Sequence, residues 1–337
     1  MSGNVDLTPL NRKRNRMNRT RIAVGLCLSC IAGPSTAAAA WPEKPVRLLV
    51  PWAPGGSTDV VARILAPDLT KRLKQTVLVD NRPGAGSILG MHLAAASPPD
   101  GHTFMLTSTA YGHLLDRKQA KGIEYSKSYE PVALIGLGDS VLTVHPTLPV
   151  KTVKELIALA KARPGELFYS SSGIGGFPHM NTELFKLMTG TNIVHVPFQG
   201  GGPAAADTMA GNTQMNLGSV PSLIGYLRSG RLKPLGVGAT KRNPQLPNVP
   251  TMTEAGVPGF VTYIWWGVFA PLKTPPDIIK RMHDEIAALQ DTPEVVQRLA
   301  QQGAMPVKQT SAEFGKYMQD EAARWQMVID KAGIKGE

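Results

Sequence analysis

VRLLVPWAPGGSTDVVARILAPDLTKRL (residues 46–73) decides the fold class. Val46–Val50 is apolar but for Arg47, close to the pattern of a strand covered on both faces. Val60, Val61, Ile64, Leu65, Leu69 and Leu73 then recur at helical spacing. Between strand and helix lies PWAPGGSTD (51–59), whose glycines sit where a βα turn must be tight. Outward from this unit the alternation repeats. Val77–Val79, Phe104–Leu106, Leu167–Tyr169, Ile193–Val196, Met215–Leu217 and Leu235–Gly238 read as strands, with helical segments between most of them. Strands alternating with helices predict an α/β fold with mostly parallel sheets flanked by helices. Leu134–Val144 and the Pro-rich Asn243–Pro258 read as links between two lobes, with an aromatic strand at Tyr263–Phe269 and a helical C-terminal part.

The first forty residues differ in kind. Six Lys/Arg precede a short apolar stretch (Ile22–Ile31) and a small-residue run ending at Ala40, the layout of a secretory signal peptide cleaved near Ala40. Removing six basic residues and Asp6 from the total of +11 leaves 30 basic and 24 acidic residues, a net of +6. That mild surplus suits capture of anions and lacks the dense basic clusters of a nucleic-acid binder. Both cysteines, Cys27 and Cys30, lie in the leader; lipidation at Cys30 is the alternative to cleavage near Ala40.

Glycines and small hydroxyls recur at strand ends: Pro54–Thr58, Asn81–Ser87, Thr107–Ala110, Ser170–Gly176, Gln199–Gly202 and Ser219–Pro221. A helix start offers unpaired N–H groups and the positive end of a dipole, so such loops hold anions without a cationic side chain. In open α/β sheets this is the ligand edge. Asp59 reads as support for the cap of its helix, with an ammonium partner as the alternative. No dinucleotide fingerprint, phosphate loop or G-x-S-x-G elbow occurs, and the seven histidines show no metal-ligand spacing. No cofactor or metal is expected. A Ser172/His179 nucleophile pair is the one enzymatic alternative, that of an extracytoplasmic hydrolase.

WPEKPVRLLVPWAPGGSTDVVARILA (41–66), NRPGAG (81–86), PDGHTFML (99–106), VHPTLPVKTVKELI (144–157), ARPGELFYSSSGIGG (162–176), HVPFQGGGPA (195–204) and LPNVPTMTEAGVPGF (246–260) follow one another in a recognisable order. In this series the chain resembles the substrate-binding receptors of tripartite tricarboxylate transporters, also called the Bordetella uptake (Bug) receptors. The resemblance implies a periplasmic, monomeric, non-enzymatic receptor of the two-lobed Venus-flytrap type, the type II periplasmic-binding-protein fold. Lobe 1 would comprise 41–140 and 251–337, and lobe 2 141–250. It implies a small carboxylated ligand, and as partners the membrane subunits of such a transporter or a sensor kinase. The contacts it implies are Trp52, Gly55, Gly56, Ser57, Asp59, Thr107, Ser108 and Ala110 from one lobe. The other would supply Ser171, Ser172, Gly173, His179, Gln199, Gly200 and Ser219. Gln199 stands where the family often has Lys, Asn216 where Asp is common, and Ser87 where Gly is usual. The lost Lys removes positive charge near the cleft and points towards an amide or aromatic acid as well as a diacid.

Overall fold

Val46–Val50 (β1) lies between Val77–Asn81 (β2) and Thr103–Ser108 (β3), parallel to both. The computed structural model describes residues 41–111, 114 and 122–334. The leader expected at 1–40, its cleavage near Ala40 and lipidation at Cys30 fall outside those residues. Ala39–Glu337 group together by contact as one unit, so the lobes below belong to one body.

The helix after β1, Ser57–Leu73 (α1), covers that sheet with Val61, Leu65, Leu69 and Leu73, all buried. The next helix, Ile88–Ala95 (α2), leads to β3. After a short helical turn at Tyr125–Ser128 (α3) comes Tyr129–Val144 (β4), 16 residues long. The second lobe then unfolds in the same sense: Val153–Ala162 (α4), Phe168–Ser171 (β5), Phe177–Thr189 (α5), Val194–Pro197 (β6), Gly201–Ala210 (α6), Met215–Ser219 (β7), Val220–Arg228 (α7) and Lys233–Val237 (β8). The chain returns through Tyr263–Pro271 (β9), then Pro276–Leu289 (α8), Pro293–Gln301 (α9), Ala304–Pro306 (β10) and Ser311–Ala332 (α10).

The strands follow the order β2-β1-β3-β9-β4-β7-β5-β6, with β8 and β10 also on β4. The two lobes share one plan. Each has three parallel strands in the order second, first, third: β2-β1-β3 and β6-β5-β7. Each is then extended by an antiparallel strand, β9 in one and β4 in the other. The parallel strands were all read from the sequence, as were the antiparallel β8 and β9; β4 was read there as a link.

Leu134–Val144, read from the sequence as a link, is the greater part of β4. Tyr129–Asp139 pair with β9, and from Ser140 onward the strand pairs with β7 and β8. Gly136 and Gly138 interrupt its apolar pattern because neighbours come close. An added Cβ would lie 2.3 Å from the Met305 carbonyl oxygen at Gly136 and 2.5 Å from the Trp266 ring at Gly138. The strand thus changes partner after Asp139. On the return path, Met252, Val257 and Phe260 pack into the second lobe's core with Leu142, Val144 and Leu217. This Pro-rich segment forms neither strand nor helix, yet it buries its apolar residues.

Candidate functional site

The shared plan brings equivalent loops to one place. The loops after β1, β2 and β3 carry Pro54–Ser57, Gly84–Ser87 and Thr109–Ala110; those after β5, β6 and β7 carry Ser172–Gly176, Gln199–Gly201 and Ser219. They meet backbone to backbone. Ala53 donates its N–H to the Gln199 carbonyl (3.1 Å), and Tyr111 donates to that of Gly175 (2.8 Å). Ala110 forms an antiparallel bridge with Gly176. The glycines permit this closeness. Gly86 has φ +59°, and an added Cβ would lie 2.2 Å from the Ile174 oxygen; one on Gly202 would lie 2.8 Å from the Pro54 oxygen.

Within this contact lies a cavity of about 30 Å³ lined by Trp52, Gly56, Ser57, Thr58, Ser108, Thr109, Ser172, Phe177, Pro178, Gly201, Ser219, Ser222 and Ile264. It exceeds the roughly 10–15 Å³ that one water needs. The first residues of α1, α5, α6 and α7 all reach it. None of these four helices has a side-chain cap bond at its N-terminus. Away from the cavity, Thr152 caps α4 and Thr310 closes a capping box on α10, while α2, α3, α8 and α9 also lack a side-chain cap bond. Four N-terminal dipole ends thus converge on a space whose lining contains no Lys or Arg. Such a site is positive through its backbone and favours an anionic group with several acceptor oxygens. The indole Nε1 of Trp52, 4% exposed, has no hydrogen-bond partner among the described residues. A buried donor of this kind costs free energy unless something accepts from it. The apolar walls from Trp52, Phe177, Pro178 and Ile264 suit the carbon body of a small molecule.

The hydroxyls are ordered by one another. Thr58 donates to Ser108 Oγ at 2.8 Å, and Thr109 Oγ1 accepts the Trp265 N–H at 3.3 Å. Ser219 and Ser222 lie 3.0 Å apart through their hydroxyls.

Of the residues expected from sequence, Trp52, Gly56, Ser57, Ser108, Ser172 and Ser219 line the cavity. The others stand behind it. Asp59 is spent internally: it accepts from Gly55 N–H, from Arg63 Nε and from Asn81 Nδ2 at 3.0–3.1 Å. Burial alone would raise its pKa, but the hydrogen bonds from Arg63, Gly55 and Asn81 outweigh it and hold the carboxyl below the ordinary range. Its role is to stitch the Trp52–Gly55 turn to α1, which removes the ammonium alternative. Gly55 is exposed, and Thr107 is wholly buried beneath the cavity. Ala110, Gln199 and Gly200 form the seam between the lobes.

Ser171, Gly173 and His179 shape the loop rather than face the cavity. Ser171 Oγ lies 2.6 Å from His195 Nε2 and accepts the Gly173 N–H at 3.1 Å. His179 Nδ1 accepts the Gly175 N–H at 3.0 Å. His179 is therefore committed to a backbone donor, and no bond joins it to Ser172, so the nucleophile pair is not assembled. Thr58, Thr109, Pro178 and Gly201 were flagged in the sequence only as parts of loops. Phe177 was read as part of the same loop as Pro178 and was not singled out; Ser222 and Ile264 gave no signal, since each lies in what reads as a helix or strand. Among the described residues, no cluster of three His, Cys, Asp or Glu could hold a metal ion. A larger cavity of about 230 Å³, lined among others by Tyr125, Tyr129, Phe269 and Met318, receives no residue from the glycine loops.

Residues 61–334 match the family described as tripartite tricarboxylate transporter family receptor. BugT of Bordetella pertussis is 37% identical over 325 residues, covering 95% of this chain and 99% of that one. Among solved structures, R. palustris Rpa4515 with adipate is 35% identical and superposes with a TM-score of 0.84 over 88% of this chain and 99% of the other. MatC (Rpa3494) from Rhodopseudomonas palustris with bound malate is 29% identical, with a TM-score of 0.82 over 86% and 100%.

Proposed function

The chain belongs to the tripartite tricarboxylate transporter receptor family, a family of solute receptors rather than enzymes, and we propose that it captures a small carboxylate where its two lobes meet. One observation carries the reading: four uncapped helix starts, five serines and the indole of Trp52 converge on one cavity without a cationic side chain in its lining. A carboxylate seated there accepts from Trp52 Nε1 and from the first N–H groups of α1, with Ser172, Gly201 and Ser219 closing over it from the second lobe. Because the guest touches both lobes, it binds the joined state better than the parted one and shifts the population towards it.

Solved relatives carry adipate and malate, both dicarboxylates. In this chain Gln199 takes the place of the commoner Lys, which leaves the seam beside the cavity without that positive charge, and the cavity itself has apolar walls. We infer a four- to six-carbon acid with one strongly held carboxylate and a neutral or weakly polar distal end. The partners on this reading are the two membrane subunits of the transporter, to which a monomeric, ligand-bound receptor delivers its cargo; delivery to a sensor kinase is the alternative. No helix among the described residues is long and apolar enough to cross a membrane. We place the mature protein in the periplasm with its N-terminus at Trp41.

A thermal-shift screen of mono- and dicarboxylates, with adipate and malate included, tests the proposal. A ligand at one hundred times its Kd stabilises the native state by about 2.7 kcal/mol. A clear rise in melting temperature with at least one acid, absent with its amide or alcohol counterpart, is expected. No rise with any acid, or equal rises with uncharged counterparts, refutes it.

A further inference from the structure

Behind the cavity the second lobe holds a buried cluster that ligand contact does not explain. His179 on α5 and His195 on β6 stack with ring centroids 4.2 Å apart, and Tyr169 on β5 stacks on the other side of His195 at 4.9 Å. Tyr169 donates its hydroxyl to Glu183 at 2.7 Å, and Lys186 pairs with the same carboxylate. His179 is 5% exposed. Both rings turn a nitrogen towards the loop that carries Ser172. His179 Nδ1 takes the Gly175 N–H at 3.0 Å, and His195 Nε2 meets Ser171 Oγ at 2.6 Å. Ser171 Oγ in turn takes the Gly173 N–H. A loop with glycines at 173, 175 and 176 has little intrinsic preference for one shape. Two of its backbone donors are nonetheless fixed, one by an imidazole and one by a serine that an imidazole holds.

We propose that His179 and His195 are positioning residues of the receptor, a stacked uncharged pair that clamps the Ser171–Gly176 loop and so sets Ser172 against the cavity and the Gly175 carbonyl against Tyr111. The chemistry requires neutrality. An Nδ1 that accepts the Gly175 N–H has no proton of its own, so His179 carries its proton on Nε2. Protonating His179 Nδ1 would take away the acceptor of the Gly175 N–H, and charging both rings would set two like charges face to face at 4.2 Å. Burial drives both pKa values down, to about 4 for His179 and about 3 for His195, with the neighbouring Lys186 acting in the same direction on each. On His195, His179 also acts downward, while Glu183 opposes it.

The clamp's effect on affinity rests on the carboxylate reading above; its geometry does not. The test uses the mature chain, residues 41–337, with adipate as the probe. His179→Leu and His195→Phe keep bulk and remove the ring nitrogen that meets the loop, whereas His179→Asn and His195→Gln retain a polar atom near Nδ1 and Nε2. The Leu and Phe variants are expected to bind about tenfold more weakly, as for one lost buried hydrogen bond, and the Asn and Gln variants to recover most of that loss. Nitrogen-15 imidazole spectra of the wild type should show His179 neutral with its proton on Nε2 from pH 5 to 8. Wild-type affinity in both His179→Leu and His195→Phe, or a proton on His179 Nδ1, overturns the proposal. If the wild type binds no acid, the carboxylate reading fails, and the spectra still decide the clamp. If a Leu or Phe variant does not fold, the spectra and the Asn and Gln variants decide it.

Discussion

Gly202→Ala separates folding from closure. Gly202 is the second residue of α6 and has no positive φ, so alanine fits its own backbone. In a helix interior alanine is favoured over glycine by up to about 1 kcal/mol. Within its own lobe the substitution is neutral or mildly stabilising. Across the seam it is not. The new methyl would lie 2.8 Å from the Pro54 oxygen and 3.0 Å from the Gly55 carbonyl carbon, both backbone atoms of the facing loop. Neither can swing away as a side-chain tip does. One of the loops must retreat by about half an ångström, and overpacking of this kind costs about 1–3 kcal/mol. The cost falls on the joined state alone, since parting the lobes relieves it. At 1.4 kcal/mol per factor of ten, the affinity for a bound acid falls about 5- to 150-fold. Titration calorimetry on wild type and variant, with thermal melts of the unliganded proteins, reads both quantities. Weaker binding with an unchanged or raised melting temperature is expected. Binding within twofold of wild type would refute the claim that these loops must touch for the ligand to be held.

Trp52→Phe removes the buried indole donor. The ligand-induced rise in melting temperature is expected to shrink by the equivalent of about tenfold in affinity. The ligand-induced shift is the readout because the smaller ring also loosens packing. Asp59→Asn removes the negative charge that Arg63 and Gly55 bind, and is expected to destabilise the protein by about 1–3 kcal/mol. Urea denaturation at pH 7 reads it. The Asp59 pKa is lowered in the fold, so its stabilisation is present at neutral pH and fades only as acid protonates it below the ordinary carboxylate range. His179 and His195 act at higher pH. Their folded pKa values, about 4 and about 3, lie below the ordinary 6.5, so between these limits the unfolded chain binds the extra protons. Their contribution is whole above pH 6.5 and falls as pH drops, by up to about 1.4 kcal/mol per pH unit for each ring. Denaturation between pH 6.5 and 4.5 reads the slope, and the His179→Asn, His195→Gln double variant should flatten it.

The parallel strands and their glycine loops were legible because each rests on a local signal. Val46–Val50 is apolar at four of its five positions, Arg47 being the exception, the α1 positions recur at helical spacing, and Gly55–Gly56 marks the turn between them. Equivalence of the six loops follows once strands and helices alternate. What stayed hidden depends on distant partners. β4 was read as a link because Gly136, Gly138 and Asp139 break its pattern, and the Met305 and Trp266 atoms that require those glycines lie far along the chain. Asp59 was open between a cap and a ligand contact, since only folding brings Asn81 and Arg63 onto its oxygens. His179 looked like a ligand contact because it opens a helix beside a serine loop; the loop's own Gly175 N–H occupies it. Ser222 and Ile264 reach the cavity from a helix and a strand, where sequence offers no reason to single them out.

A crystal structure of the protein with a bound dicarboxylate, adipate to begin with, tests the central claim most directly. The account predicts one carboxylate within hydrogen-bonding distance of Trp52 Nε1 and of N–H groups at the start of α1, with Ser172 or Ser219 closing from the other lobe. A carboxylate held by a Lys or Arg side chain, or a ligand seated in the cavity beside Tyr125 and Met318, would contradict it.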